Sequence, residues 1–240
     1  MVVVPESVEG VSGQADSSPG DRRRLWVTLG YLVLLMVSTV ALTLIDDSTM
    51  DRVLLRASTN LDNLLHGHVG TLLSSAFFIG TGVTAWVILA MLAALLALAE
   101  LRFGAGRLVR VFLAGHVGAT LVVAVGLWAA VREDWLPDSI SDAEDVGISY
   151  GAVALVGALV AVLPAAARWS WSAVWLAFAV DGVLAGRTFT NVGHLLSLVI
   201  GLVLGYRMIR RGSVPERPLT WVEAGLLAVS AGLAGGLLLG

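Results

Sequence analysis

Asn191-Val192-Gly193-His194-Leu195-Leu196-Ser197-Leu198-Val199-Ile200-Gly201-Leu202-Val203-Leu204-Gly205-Tyr206 carries no acidic or basic side chain apart from one histidine, and Arg187 and Arg207 bracket the segment. At ~1.5 Å of rise per residue such a run approaches the ~30 Å of bilayer hydrocarbon, so it reads as a transmembrane helix. Ser197, Gly201 and Gly205 recur once per turn, the spacing that lets two membrane helices approach closely. A histidine near one end of such a helix is costly to keep in hydrocarbon and marks a functional position.

The rest of the chain repeats the pattern. It is 57% hydrophobic and 14% charged, with a mean hydropathy of +0.86. A soluble domain of this length has nowhere to bury so much apolar surface. Seven spans are predicted, over roughly 25–45, 72–99, 109–131, 147–165, 170–187, 191–208 and 219–239. The fold class is therefore all-α, a polytopic transmembrane helical bundle; no alternating ten-residue segments support a membrane β-barrel. Residues 1–24 read as a disordered cytoplasmic tail and 25–240 as one membrane domain, with Leu25 to Ile45 a retained helix rather than a cleaved signal. With no cysteine in the chain, disulfide, zinc-thiolate and cysteine-nucleophile chemistry are excluded.

All fifteen basic residues are arginine, and they sort by side. Arg22, Arg23 and Arg24 precede the first span, and Arg102, Arg107 and Arg110 join the second to the third. Arg168 joins the fourth to the fifth, and Arg207, Arg210, Arg211 and Arg217 join the sixth to the seventh. The opposite connections are acidic or mixed, including Asp46, Asp47, Asp51 and Asp62, and then Glu133, Asp134, Asp138 and Asp142. The arginine side is expected to be cytoplasmic, with the N-terminus inside and the C-terminus outside. The fourth and sixth spans then both run inward, which places Ser149 and His194 at one shallow depth, each within ~10 Å of the outer boundary. A hydroxyl beside an imidazole is the minimum equipment for nucleophilic catalysis.

Several motifs resemble those of one family. Gly147-Ile148-Ser149 resembles the Gly-x-Ser-Gly nucleophile motif of the rhomboid intramembrane serine proteases, with Tyr150 where the family has glycine. Gly193-His194 with Ser197, Gly201 and Gly205 resembles their sixth core helix, Ser197 replacing its first glycine. Leu72-Leu73-Ser74-Ser75-Ala76-Phe77 resembles the segment leading into their second helix, and Glu100-Leu101-Arg102-Phe103-Gly104 the turn that closes it. Order and spacing agree over roughly 72–206, and the chain is more similar still to the divergent rhomboid-like proteins of actinobacteria. The resemblance implies a six-helix core with one C-terminal helix appended, in a bacterial plasma membrane. It implies Ser149 as nucleophile and His194 as general base, no cofactor, and transmembrane segments of client proteins as partners within the lipid bilayer. Thr84 and Ile88 stand where the family carries a histidine and an asparagine that bind the oxyanion. Isoleucine cannot donate a hydrogen bond, and loss of one such donor typically costs ~10²–10³ in rate. Support from Gly147, Tyr150, Thr84 and neighbouring backbone amides is the expected substitute. The alternative reading is a pseudoprotease that binds client transmembrane segments without cutting them.

The remaining polar residues receive structural expectations. Gly151 is expected to provide the gap on the fourth span for the sixth. His116 is placed nearer the cytoplasmic half of the third span, bonded to another helix beside Gly115 and Ala119. Asp181 is read as a buried acid, with an interhelical hydrogen bond preferred over a role as third member of a triad with His194. Glu100 is expected to anchor the cytoplasmic loop with a nearby arginine. His66 and His68 lack a further ligand set, so no metal is expected. Trp26, Trp128, Trp135, Trp169, Trp171 and Trp221 mostly flank spans, as interfacial anchors do. The arginines are accounted for by topology, so no nucleic-acid partner is implied.

Overall fold

The computed structural model describes residues 25–79, 81–142, 148–186 and 188–239; the tail assigned to 1–24 and the candidate Gly147 lie outside them. Among the described residues all regular structure is helical: α1 (Trp26–Thr43), α2 (Asp47–Ala57), α3 (Leu61–Leu65), α4 (Thr71–Ser74), α5 (Gly82–Phe103), α6 (Ala105–Arg132), α7 (Ser149–Ala158), α8 (Ala165–Gly186), α9 (Phe189–Arg210) and α10 (Trp221–Leu239). Six of these helices, α1, α5, α6, α8, α9 and α10, are long and apolar enough to cross a membrane. The protein is an integral membrane helical bundle.

The seventh crossing is of a different kind. Helix α7 continues as a 3₁₀ turn over Leu159–Val162, and at ~1.5–2 Å per residue the whole segment is only about 20–25 Å long. It need not match the bilayer, because lipid does not touch it: every residue from Tyr150 to Val162 is buried. Helices α9, α6, α5 and α10 pack directly against α7, and contacts of α9 with α6, α6 with α5, α5 with α10, α10 with α8 and α8 with α9 close a ring around it. Helix α1 lies outside this ring on α5 and α6. Small residues make the central contact possible. A Cβ at Gly201 would overlap the Ala154 carbonyl, and one at Gly157 would lie 2.6 Å from the Leu198 oxygen. The gap at Gly151 serves a different neighbour from the one expected, since the Phe112 ring of α6 fills it rather than α9.

The second crossing starts at Gly82, ten residues later than the hydropathy pattern suggests. Residues 71–77 instead form α4 and a 3₁₀ turn, Ser75–Phe77, in which Ser75 and Ala76 are fully buried. Irregular backbone packed among membrane helices must have its polar groups satisfied by protein. Helix α1 does this: the Tyr31 hydroxyl donates to the Ala76 carbonyl at 2.6 Å and Ser38 Oγ donates to that of Phe77 at 2.5 Å. The sequence pattern reads the same residues as helix because it registers their apolarity, not the hydroxyl partners some forty positions away.

At the arginine-bearing ends the helices are tied by carboxylates. Helix α1 has no side-chain cap of its own. Glu100 supplies one, accepting from the backbone N–H groups of Val27 and Thr28 at 3.1 and 2.7 Å and from Thr28 Oγ1 at 2.6 Å. A carboxylate there neutralises the positive helix end. Glu100 thus anchors the start of α1, and among the described residues it pairs with no arginine. Arg102 faces Glu223 of α10 at 3.5 Å, and Arg217 donates to both oxygens of the same carboxylate. Gly104, with φ of +80°, turns the chain between α5 and α6 in a conformation that residues with a Cβ rarely adopt.

Candidate functional site

Ser149 is the first residue of α7, and His194 lies in the second turn of α9. Helix starts leave backbone N–H groups without intrahelical partners and carry partial positive charge, so Ser149 sits where a developing anion is favoured. Thr188 caps the neighbouring α9, its hydroxyl accepting from the Asn191 N–H at 3.2 Å. Asn191 Nδ2 in turn donates to the Gly182 carbonyl of α8 at 2.6 Å, fixing the start of α9 against α8.

Two contacts bring the serine turn to the histidine turn. Gly193 lies so close to the Tyr150 ring that a Cβ there would overlap it. Ser197 Oγ donates to the Tyr150 carbonyl in a very short hydrogen bond. The Tyr150 ring meets the His194 imidazole edge to face, with centroids 5.5 Å apart. The residue after the candidate nucleophile therefore packs on the candidate base. Ser149 itself is half-buried, whereas His194 is buried with no hydrogen-bond partner for Nε2 among the described residues. No hydrogen bond joins Ser149 to His194 in this conformation.

The other candidates lie elsewhere. Thr84 is exposed on α5, and Ile88 is half-buried a turn further on. Asp181 is exposed rather than buried, because α8 turns Ser172, Trp175, Ala179 and Gly182 inward and leaves position 181 off that stripe. Gly205 packs on Ala158 and Val160, and Ser197 and Gly201 occupy the same face of α9. Trp171 differs from the exposed tryptophans 26, 128, 135, 169 and 221: it is half-buried and donates from Nε1 to the Val156 carbonyl at 3.1 Å. His66 and His68 are exposed and bond to Asp62 and Asn63, and no group of metal-ligating side chains occurs among the described residues.

His116 belongs to a second constellation that the sequence does not announce. Its Nε2 lies 3.2 Å from Ser75 Oγ, which also accepts from Thr59 Oγ1 at 2.9 Å. The adjacent Gly115 touches Ala154, Ser197 and the Tyr150 carbonyl, so His116 sits close to the level of the α7–α9 contact rather than near the arginine-bearing end. Ser75 and His116 are forty-one positions apart, and only the inward dip of the α4–α5 connector makes them partners.

A long-helix membrane bundle with a short buried helix at its centre, a serine opening that helix and a histidine on the helix packed most closely against it define the class. The model of the rhomboid-like protein family matches residues 22–214, and the chain belongs to that family. The match spans α1 to α9 and ends before α10. Comparison with curated proteins and with solved structures gives no match.

Proposed function

We propose that this rhomboid-like protein is an intramembrane serine endopeptidase that uses Ser149 and His194 near the outer leaflet of a bacterial plasma membrane, with the arginine face cytoplasmic. The observation that carries this reading is the seating of Gly193 on the ring of Tyr150, which puts the imidazole one residue from the nucleophile at the start of a helix. In the reaction, Ser149 Oγ attacks the scissile carbonyl and its proton passes to His194. The oxyanion forms at the N-terminal end of α7, whose backbone amides stand in for the histidine and asparagine donors whose places Thr84 and Ile88 take. His194 then protonates the leaving amine, and water cleaves the acyl-enzyme by the same route. The two side chains are not bonded at rest, so a rearrangement that brings Ser149 Oγ to the imidazole must precede attack. The test is labelling by a serine-directed fluorophosphonate in membranes. Wild type is expected to be labelled, and Ser149→Ala and His194→Ala are not; label retained in both variants overturns the proposal.

The second reading, a pseudoprotease that binds client transmembrane segments, is favoured by one specific feature: the position aligned with the oxyanion asparagine is Ile88, which has no donor. It predicts membrane partners that co-purify equally with wild type and Ser149→Ala, and no labelling of either.

A further inference from the structure

The arginine-bearing end of the bundle holds two cavities that differ in one respect. The first, about 460 Å³, is bordered by Arg102, Arg168 and Arg217. Its charges are matched from within the protein: Arg168 pairs with Glu216 at 3.1 Å, and Arg102 and Arg217 share Glu223. The second, about 490 Å³, lies between the start of α6 and the end of α9 and is bordered by Arg107, Arg110, Arg207 and Arg211. Among the described residues none of these four guanidiniums is within ion-pair distance of a carboxylate.

Topology accounts for arginines on this face, but not for this arrangement of them. Arg207 and Arg211 end α9, where cations suit the helix dipole. Arg107 and Arg110 lie in the first two turns of α6, where cations oppose it, and the first turn of α6 has neither an acid nor a side-chain cap. Arg107 Nη1 and Arg110 Nε are each steadied by a bond to a backbone carbonyl, of Phe103 and Gly106, at 3.0 Å. A guanidinium has five N–H donors, so each keeps others to offer. The positive helix end and four converging guanidiniums, uncompensated among the described residues, form a cationic site of the kind that bidentate phosphate recognition uses.

The floor of the cavity indicates the source of the phosphate. Val111, Ala114, Leu204 and Met208 line it toward the bundle. Arg207 also borders a shallow groove of about 330 Å³ that continues along α8 and α9 over Leu176, Val199 and Val203. A phosphate held by the arginines would have apolar helix surface directly below it, at acyl-chain level.

We propose that the Arg107–Arg110–Arg207–Arg211 cavity is a binding site for the phosphate headgroup of an anionic phospholipid, with acyl chain lying along α9. The test uses the full chain purified in mild detergent and native mass spectrometry with added cardiolipin, phosphatidylglycerol or phosphatidylcholine, and with inorganic pyrophosphate in a separate arm. Wild type is expected to retain the anionic lipids at least tenfold more than phosphatidylcholine. Arg107→Gln and Arg207→Gln should each lower that retention several-fold, and the pair together should abolish the preference. Arg168→Gln, which removes the same charge from the neighbouring cavity, should leave it unchanged. The single variants leave the other arginines of each loop to hold the topology, so a folding or insertion failure is separable by the size and thermal midpoint of the purified protein. Equal losses in Arg168→Gln and Arg207→Gln, or unchanged retention in the double variant, overturn the site. Pyrophosphate displacing the lipid at equal or lower concentration overturns the lipid assignment in favour of a soluble phosphate.

Discussion

Two serine–histidine combinations among the described residues, Ser75 with His116 and Ser149 with His194, differ in bonding and in the burial of the serine. Ser75 and His116 are hydrogen-bonded, extended by Thr59, and sealed, with exposures of 0% and 2%. Ser149 and His194 are not bonded to each other, Ser149 is half-buried, and Nε2 of His194 has no partner among the described residues. Bonding alone would select Ser75 and His116, the reverse of the proposal. A hydroxyl held by two partners in a closed interior meets no carbonyl, and its satisfied bonds stabilise the fold. A half-buried hydroxyl at an uncapped helix start retains capacity for a reaction. Among the described residues each of the two imidazoles keeps one nitrogen without a partner, Nδ1 of His116 and Nε2 of His194, so the contrast lies in the serines.

The largest expected difference between the pairs is in labelling. Ser149→Ala or His194→Ala should reduce turnover or fluorophosphonate labelling by ~10⁴-fold or more, as loss of one member of a catalytic set does elsewhere. Ser75→Ala should keep it. Next in size is the close packing of α7 on α9 further along the two helices. Gly201→Leu drives a side chain into the Ala154 backbone and should cost about 3 kcal/mol, read as a lowered thermal midpoint in detergent with labelling lost in parallel. A Gly201→Leu protein as stable as wild type would show that the α7–α9 packing is not what holds the site.

The sealed pair should respond in stability alone. His116→Ala leaves Ser75 with one partner fewer in a buried position and should cost about 1–3 kcal/mol, with labelling of the surviving folded protein unchanged. Loss of labelling without loss of stability would instead give His116 a part in the reaction. The smallest effect is expected at the far connector, where Asp46 caps α2. Hydrogen bonds from Ser48 and then Thr49 hold its carboxyl down to about 2. A lowered folded-state value means the contribution is present above the ordinary carboxylate range of about 4 and fades as pH falls through 2. Amide exchange in α2 should therefore quicken in Asp46→Ala at neutral pH, and in wild type only near pH 2; no change in either would remove the cap from the account.

Much of this was legible in the residues and some was not, for identifiable reasons. Apolar run length and arginine placement located the crossings because both report transfer between water and hydrocarbon, which depends on composition. They misplaced the start of α5, since the dip at Ser75–Phe77 is as apolar as a helix and is specified by Tyr31 and Ser38. Depth placed Ser149 and His194 on one level, but the side of each helix was not legible. That is why Asp181 was read as buried although α8 turns it outward, and why the gap at Gly151 was assigned to α9 although Phe112 fills it.

The sequence by itself determined a membrane bundle of long apolar helices and placed a serine and a histidine on two of its turns. Hydrophobic transfer and charge asymmetry act residue by residue and leave their record in the linear pattern. The tertiary structure alone decided that α7 is a short helix ringed by protein, that Tyr150 stands on His194, that Ser75 closes on His116, and that four arginines of α6 and α9 converge with no carboxylate among the described residues paired to them. Each depends on the rotation and neighbour order of helices, which are fixed by packing between positions forty or more residues apart.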